Sequence, residues 1–324
     1  MRAWQVAEHG EPADVVQAVE LDEPTPEAGH IRVRVAAAAV GMPDVMMCRG
    51  VYPMTPPLPF VAGQEVCGVV DAVGEGVELP VGSRVMGVTT FYDGRGGFAE
   101  ATILQERTAF RVPEAMGDVE AAAFRIGYST AWTGLVRRGR LTADDTLVVL
   151  GAAGGSGITA IRLAHAIGAR VIAVASGQEK LDLCTAAGAD VVIDRSAGDI
   201  AVFILEATDG RGADVVYDPV GGALAGQALL AMAPNGRFLV VGFASGEWVQ
   251  VATHDLVIRN QSLVGVFAGG GTREEDEADH EALLDLAEGG KLDGISTAVP
   301  FDALPDALTS VADGSAKGKL VAQL

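Results

Sequence analysis

Residues 148–164 read VVLGAAGGSGITAIRLA: an apolar run, a turn of small residues, then an amphipathic stretch. That order predicts a buried strand, a tight corner and a helix. Such a corner either holds a cofactor phosphate or merely reverses the chain, and its surroundings decide which. Strand candidates occur at 146–151 (TLVVLG), 170–175 (RVIAVA), 190–194 (DVVID), 213–218 (ADVVYD) and 236–242 (GRFLVVG). Helical patterns lie between them at 156–167, 178–187, 198–208 and 223–232, and Gly168 and Gly188 stand where two of them end. This alternation requires right-handed crossovers and predicts an α/β fold built on a Rossmann-type, doubly wound parallel sheet. The segment SLVGVFA (262–268) is a candidate edge strand.

Set against G-x-G-x-x-G, the turn has Ala152 in the first position, Gly154 in the second and Gly157 in the third. Gly154 would let the backbone approach a pyrophosphate, and Gly157 would let the helix pack closely on the strand. Ala153, Gly155 and Ser156 complete a helix N-terminus whose free N–H groups favour phosphate. With a strand before it, a helix after it and further βα units beyond, the turn reads as a dinucleotide site. The second strand ends in Val174-Ala175-Ser176, without the carboxylate that an NAD site uses to hold the ribose 2′-hydroxyl. Ser176, Lys180 and Arg195 offer a hydroxyl, an ammonium and a guanidinium there instead, which suits a 2′-phosphate. Glu179 stands close by and opposes it, and ordinary solvated charge is the alternative reading of both cations. NADPH is the expected cofactor.

The 324 residues allow about two domains. Although 49% of them are apolar, no uncharged run approaches the roughly 18–20 residues of a membrane span. The opening MRAWQVAEHGEP lacks the apolar block of a signal peptide, so a soluble cytoplasmic protein is expected. A net charge of −20 disfavours nucleic acid and anionic lipid as partners. Cys48, Cys67 and Cys184 are too few and too scattered for a disulfide framework or a zinc knuckle, and Cys48 and Cys67 read as small buried hydrophobes. The acidic run in TREEDEADHEALLDLAEGG (272–290) carries Ala278, Ala282, Leu283, Leu286 and Ala287 at helical spacing behind a Thr272 N-cap, so it reads as a solvated amphipathic helix.

Residues 1–120 look β-rich, with IRVRVAAAAV (31–40), VCGVVDAVG (66–74) and SRVMGVTTF (83–91) broken by Gly and Pro, and RGVYPMTPPLPFVAG (49–63) an extended loop.

Taken in order, MRAWQVAEHGEP, RGVYP, AGQEVCGVVDAVGEGV, GFAE (97–100), AAGGSG, AGADVVID, DVVYDPVGG and KGKLV (317–321) resemble the medium-chain dehydrogenase/reductase superfamily, and within it the zinc-free quinone oxidoreductase-like branch. The resemblance implies a GroES-like, β-rich catalytic domain over 1–122 and 268–324, a Rossmann NADP-binding domain over 123–267, a cleft between them and a homodimer. Zinc-dependent relatives place two cysteines and a histidine where this chain has Gly41, Ile126 and Gln64, and a proton-relaying hydroxyl where it has Pro43. Glycine, glutamine and isoleucine cannot make a zinc shell. No metal is expected, and the chemistry left is reduction of quinones or α,β-unsaturated carbonyls, whose conjugation spreads the developing charge onto oxygen.

Tyr52, in RGVYP, matches a loop tyrosine that some relatives place at the cleft, where a phenol would donate to the acceptor oxygen or protonate the α-carbon; packing of the loop is the alternative. Gly41, Met42, Met46, Gln64 and Tyr128 are the expected substrate-cleft residues, with core packing as the alternative for Met46 and its neighbour Met47. By position in the family, Thr130, the stretch Gly242, Phe243 and Ala244, the stretch Phe267, Ala268 and Gly269, and Lys319 are expected on the cofactor, with Tyr128 to Thr130 opening a helix. Asp218 is expected to shape its strand end. The expected partner is a small hydrophobic quinone or conjugated carbonyl. The alternatives are an enoyl-thioester reductase, for which no basic cluster for a diphosphate is evident, and an NADPH-binding sensor without turnover.

Overall fold

The computed structural model describes residues 1–292 and 296–324. They fall into two compact units, Met1–Ile126 with Ser296–Leu324, and the described residues between Gly127 and Ile295.

In the first unit the expected alternation holds. Ile31, Val33 and Val35 of the strand His30–Val40 point into the core, while Arg32 and Arg34 reach outward and share Asp71 at 2.8 and 2.6 Å. Side by side lie Ser296–Pro300, Lys319–Gln323, His30–Val40, Glu65–Val73, Arg84–Thr89 and Ala101–Arg111. Ala101–Arg111 also pairs with His30–Val40, which closes the last four strands on themselves as a small barrel. A second sheet joins Val16–Glu20, Arg2–Val6 and Phe60–Val61. The sequence reading had not identified Arg2–Val6, Val16–Glu20 or Ala101–Arg111 as strands. Antiparallel pairing of Leu320 with Val40 brings the start of the C-terminal strand beside Gly41, and this register positions Lys319.

In the second unit the six strands lie in the order Val191–Asp194, Arg170–Ala175, Thr146–Leu150, Ala213–Asp218, Met232–Val240, Ser262–Gly265, all parallel. By chain position that is third, second, first, fourth, fifth, sixth, the Rossmann order, with its switch point between the first and fourth strands. Val148, Leu150, Ile172, Val174, Val216 and Phe238 are all fully buried, as continuous apolar strands covered on both faces require. The helices Gly155–Ile167, Gln178–Ala186, Ile200–Ala207 and Gly222–Leu230 match the sequence expectation to within a residue or two. Ser262–Gly265 is the edge strand.

Two boundaries differ from the expectation. Residues 268–292 belong with the second unit: the helix Arg273–Glu288 is tied to it by Arg137, which pairs with Asp279 at 2.8 Å and Glu275 at 3.3 Å. The Thr272 N-cap is present, with Thr272 Oγ1 accepting from Glu275 N. The helix around Tyr128 starts earlier than expected, at Asp118, runs to Trp132 and passes into a π-helical stretch, Thr133–Arg138. Tyr128 and Thr130 therefore lie within a helix and do not open one. Among the described residues, no helix is long and apolar enough to cross a membrane.

Candidate cofactor and substrate sites

At the end of the strand Thr146–Leu150 the chain turns through Gly151, whose φ of +57° favours glycine. Gly154 N donates to Gly151 O at 3.1 Å, and Gly154 then N-caps the helix Gly155–Ile167 without a side-chain cap. The tight-turn glycine is thus Gly151, not position 152: Ala152 and Ala153 are buried beneath the turn, and the working pattern is G-x-x-G-x-x-G. That spacing was visible in GAAGGSG. A side chain at Gly157 would meet Gly151 O at 2.5 Å and Ala152 O at 2.6 Å, so this glycine sets the close approach of helix to turn. One at Gly154 would meet only Gly151 O, at 3.4 Å. Ser156 does not project freely. Its hydroxyl shares a 2.9 Å hydrogen bond with the buried Tyr217 phenol.

Ser176, Lys180 and Arg195 follow the ends of two adjacent strands. Half-buried Ser176 follows the strand Arg170–Ala175, Gly177 N-caps the helix carrying Lys180, and the exposed Arg195 follows Asp194, which pairs with Ala175 on the neighbouring strand. Arg195 N donates to Ala175 O at 2.9 Å. Three groups able to hold an anion thus lie around the ends of two adjacent strands.

A cavity of about 400 Å³ lies at the ends of the fifth and sixth strands, lined by Val240, Val241, Gly265, Val266 and Phe267 with Thr133, Arg138 and Trp248. Phe267 is exposed, and Ala268 and Gly269 follow it in a short 3-10 turn. Phe243 stacks on Trp248 at 4.3 Å, and Gly242 and Ala244 are fixed by bonds to Asp218 O and Pro219 O. Asp218 Oδ1 accepts from Val220 and Gly221 N–H, shaping the strand end as expected. Arg138 and Thr133 were missed because their π-helical turn carries no sequence signal. Trp248 was missed although an exposed indole in a glycine-containing loop is itself a cue. Thr130 is half-buried one turn before this wall. Tyr128 is fully buried and donates to Leu292 O at 2.6 Å, which makes it a packing residue and removes it from the expected substrate wall.

In the first unit a polar cluster surrounds Gly41. Asp44, buried in the helix Met42–Cys48, accepts from Gly41 N at 2.8 Å and Gly63 N at 3.1 Å. Its burial pushes the carboxyl up to about 6, against the pull of those N–H groups and of Lys319. Glu65 is buried too, and its Oε1 accepts from Ile126 N at 2.7 Å. Lys319 Nζ lies 3.2 Å from Glu65 Oε2, and burial raises the Glu65 carboxyl while this ammonium lowers it. The structure therefore commits Lys319, expected on the cofactor, to this ion pair. Tyr52 is half-buried against Phe91 at 6.4 Å. Burial raises its phenol, an effect the Gln64 side chain beside it partly offsets. Met42 is half-buried, whereas Met46 and Met47 are buried, so the core-packing alternative describes those two. Cys48 and Cys67 are buried, their thiols pushed up to about 12 chiefly by desolvation, and Cys67 Sγ donates to Asp118 Oδ1 at 3.4 Å.

Comparison with known proteins turns these observations into a family assignment. Residues 27–114 match the alcohol dehydrogenase GroES-like domain, and residues 155–289 the family described as zinc-binding dehydrogenase. The chain is 35% identical over 299 residues to the quinone oxidoreductase-like protein 2 homolog of Nematostella vectensis, covering 90% of this chain and 81% of that one. The chain belongs to the quinone oxidoreductase-like branch of the medium-chain dehydrogenase/reductase superfamily. It is 27% identical to the human quinone oxidoreductase over 99% of this chain and 97% of that one. Among solved structures, mycobacterial Rv1454c complexed with NADPH aligns over the whole of both chains with a TM-score of 0.91 at 29% identity. A quinone oxidoreductase of Pseudomonas syringae pv. Tomato DC3000 gives 0.90 at 27%, over 100% of this chain and 99% of that one.

The zinc of dehydrogenase relatives finds no fitting donors here. Gly41 offers no donor at the first ligand position, and a side chain there would lie 3.6 Å from Asp44 Oδ2 and 4.0 Å from Lys319 Nζ. Gln64 and Ile126 fill the other two positions. Among the described residues, no group of three His, Cys, Asp or Glu is placed to hold a metal.

Proposed function

We propose that this oxidoreductase is an NADPH-dependent, zinc-independent reductase of quinones or α,β-unsaturated carbonyls. The observation that carries the reading is the polar cluster of the first unit. Where a metal would polarise a carbonyl, the chain has Gly41, Gln64, Ile126 and a committed Lys319, and beside Gln64 it presents the half-buried Tyr52 phenol. Without a Lewis acid, an acceptor has to spread its own developing charge, which conjugated carbonyls do.

The residues fit NADPH. The uncapped helix N-terminus at Gly154–Gly157 would hold the pyrophosphate, Ser176, Lys180 and Arg195 the 2′-phosphate, and the cavity walled by Val240, Val241 and Gly265–Phe267 the nicotinamide end, with Gly242, Phe243 and Ala244 alongside. When bound, the cofactor supplies the hydride. The part of Tyr52 is to donate its phenolic proton to the acceptor oxygen. Asp44, bonded to Gly41 N and Gly63 N, holds together the two backbone segments on which the cluster is built. A homodimer is proposed as well, supported by the exposed edge strand Ser262–Gly265 and the exposed Val257, Ile258 and Leu263 beside it.

The test follows nicotinamide absorbance with NADPH and NADH in parallel, chelator present, across quinones, enones and an enoyl-CoA. NADPH-driven, chelator-insensitive turnover of quinones or enones is expected. Turnover of the enoyl-CoA alone would make the protein a thioester reductase, and tight NADPH binding without turnover would make it a sensor. In the same assay, Arg195→Ala is expected to raise the KM for NADPH by about tenfold and leave NADH kinetics unchanged, since an exposed guanidinium–phosphate contact is worth about that factor. Equal losses with both cofactors would remove Arg195 from the 2′-phosphate.

A further inference from the structure

The backbone at Gly63–Gln64 is held from several sides. Gly63 N donates to Asp44 Oδ1 at 3.1 Å, while Gly63 O accepts from Gly97 N and from Thr89 Oγ1, both at 2.7 Å. Thr89 N donates to Gln64 O at 2.9 Å. Gly63 has a φ of +103°, and a side chain there would meet Phe98 N at 2.7 Å, so only glycine fits this turn. The Gln64 side chain rises from this fixed base and is only 8% exposed. Nevertheless, among the described residues, its Nε2 closes no hydrogen bond of full geometry; its pull on the Tyr52 phenol brings the two side chains within reach of each other. Buried amide groups are almost always paired, because an unmade hydrogen bond away from water is destabilising. A buried donor on a fixed backbone segment that closes no full hydrogen bond is the arrangement expected of a group whose acceptor arrives with the substrate.

We infer that Gln64 Nε2 is a second donor to the acceptor's carbonyl oxygen, so that this oxygen is received between the Tyr52 hydroxyl and the Gln64 amide. The inference rests on the reductase reading above and narrows it. Two neutral donors converging on one atom fit an sp² oxygen with two lone pairs. The acceptor class is therefore one whose reduction places negative charge on such an oxygen, an enone or a quinone carbonyl. Adding charge to that oxygen strengthens both hydrogen bonds, so the Gln64 contact contributes more to the transition state than to substrate binding.

Gln64→Met keeps the volume and removes the donor. It is expected to lower kcat on enones by about 10- to 100-fold, with KM changed much less and NADPH affinity unchanged. Gln64→Glu, which substitutes an acceptor of the same shape, is expected to be slower still at neutral pH. A readout independent of turnover is the infrared carbonyl stretch of a saturated ketone product bound to the NADP⁺ complex. The stretch should move to lower frequency in the native protein, move less in Gln64→Met and in Tyr52→Phe, and return to its solution position in the double variant. Native turnover of enones together with a Gln64→Met variant of undiminished kcat, or a bound ketone whose stretch ignores Gln64, would overturn the inference and leave the reductase reading standing. Failure of the native protein to reduce any carbonyl acceptor would overturn both.

Discussion

Alanine at Gly157 is expected to destabilise the second unit and weaken NADPH binding together, whereas alanine at Gly154 is expected to weaken NADPH binding alone. At Gly157 the new methyl would lie 2.5–2.6 Å from three atoms, Gly151 O, Ala152 Cα and Ala152 O, all of them backbone and none able to swing aside. The helix Gly155–Ile167 would have to lift off the turn, and overpacking of this kind costs about 1–3 kcal/mol. Lifting the helix also withdraws the N–H groups that would face the pyrophosphate, so NADPH affinity should fall by about tenfold or more, the effect of losing charge-assisted hydrogen bonds. At Gly154 the backbone is extended and the methyl finds only Gly151 O, at an ordinary 3.4 Å. The empty protein should tolerate it within about 0.5 kcal/mol. The space it fills is the space through which a pyrophosphate would approach. Thermal melts with and without NADPH separate the two effects, and a Gly154→Ala variant with native affinity would remove the phosphate from this turn.

Loss of the Lys319 ammonium should be the most damaging single change in the first unit. Lys319→Met leaves the buried Glu65 carboxylate with the Ile126 N–H and the more distant pull of Arg125. Removing one partner of a buried ion pair costs about 3–5 kcal/mol. The sign of the pH dependence follows from the direction of the shift. Without Lys319 the native-state pKa of Glu65 rises further above its unfolded value, so the folded protein retains a proton that the unfolded chain releases. The deficit is therefore greatest at neutral and alkaline pH and shrinks as pH falls toward the ordinary carboxyl range. Asp44, already pushed up to about 6 and relieved by the same ammonium, adds to it in the same direction. Denaturant titration near pH 5 and pH 8 checks the trend, and the double replacement Glu65→Gln, Lys319→Met should recover most of the loss. A single variant as stable as the native protein at pH 8 would mean that the pair is not buried as described.

The Rossmann order was legible because most of the strands carry an apolar run and two of the helices end at Gly168 and Gly188; βα alternation leaves few other topologies. The strand–turn–helix order around this turn was legible, whereas a template with glycine two residues before Gly154 hides Gly151, whose left-handed φ only the backbone reveals. Tyr128 was misplaced because AAAFRIGYSTAW contains nothing that marks a helix interior or end, and the helix that carries it begins at Asp118. Local pattern gave no means of pairing Lys319 with Glu65, since a strand register brings together residues from opposite ends of the chain. For Gln64, the sequence disclosed a side chain that cannot bind zinc. Only the packing around Gly63 and Thr89 discloses a fixed amide that closes no full hydrogen bond.

The central claim, metal-free delivery of hydride from NADPH to a conjugated carbonyl, is tested most directly by following the label of NADPH deuterated at C4 into the product of an enone, with chelator present throughout. Deuterium at the β-carbon, at a rate the chelator does not change, is the predicted result. A product without deuterium, or a reaction that stops in chelator and resumes with zinc, would contradict it.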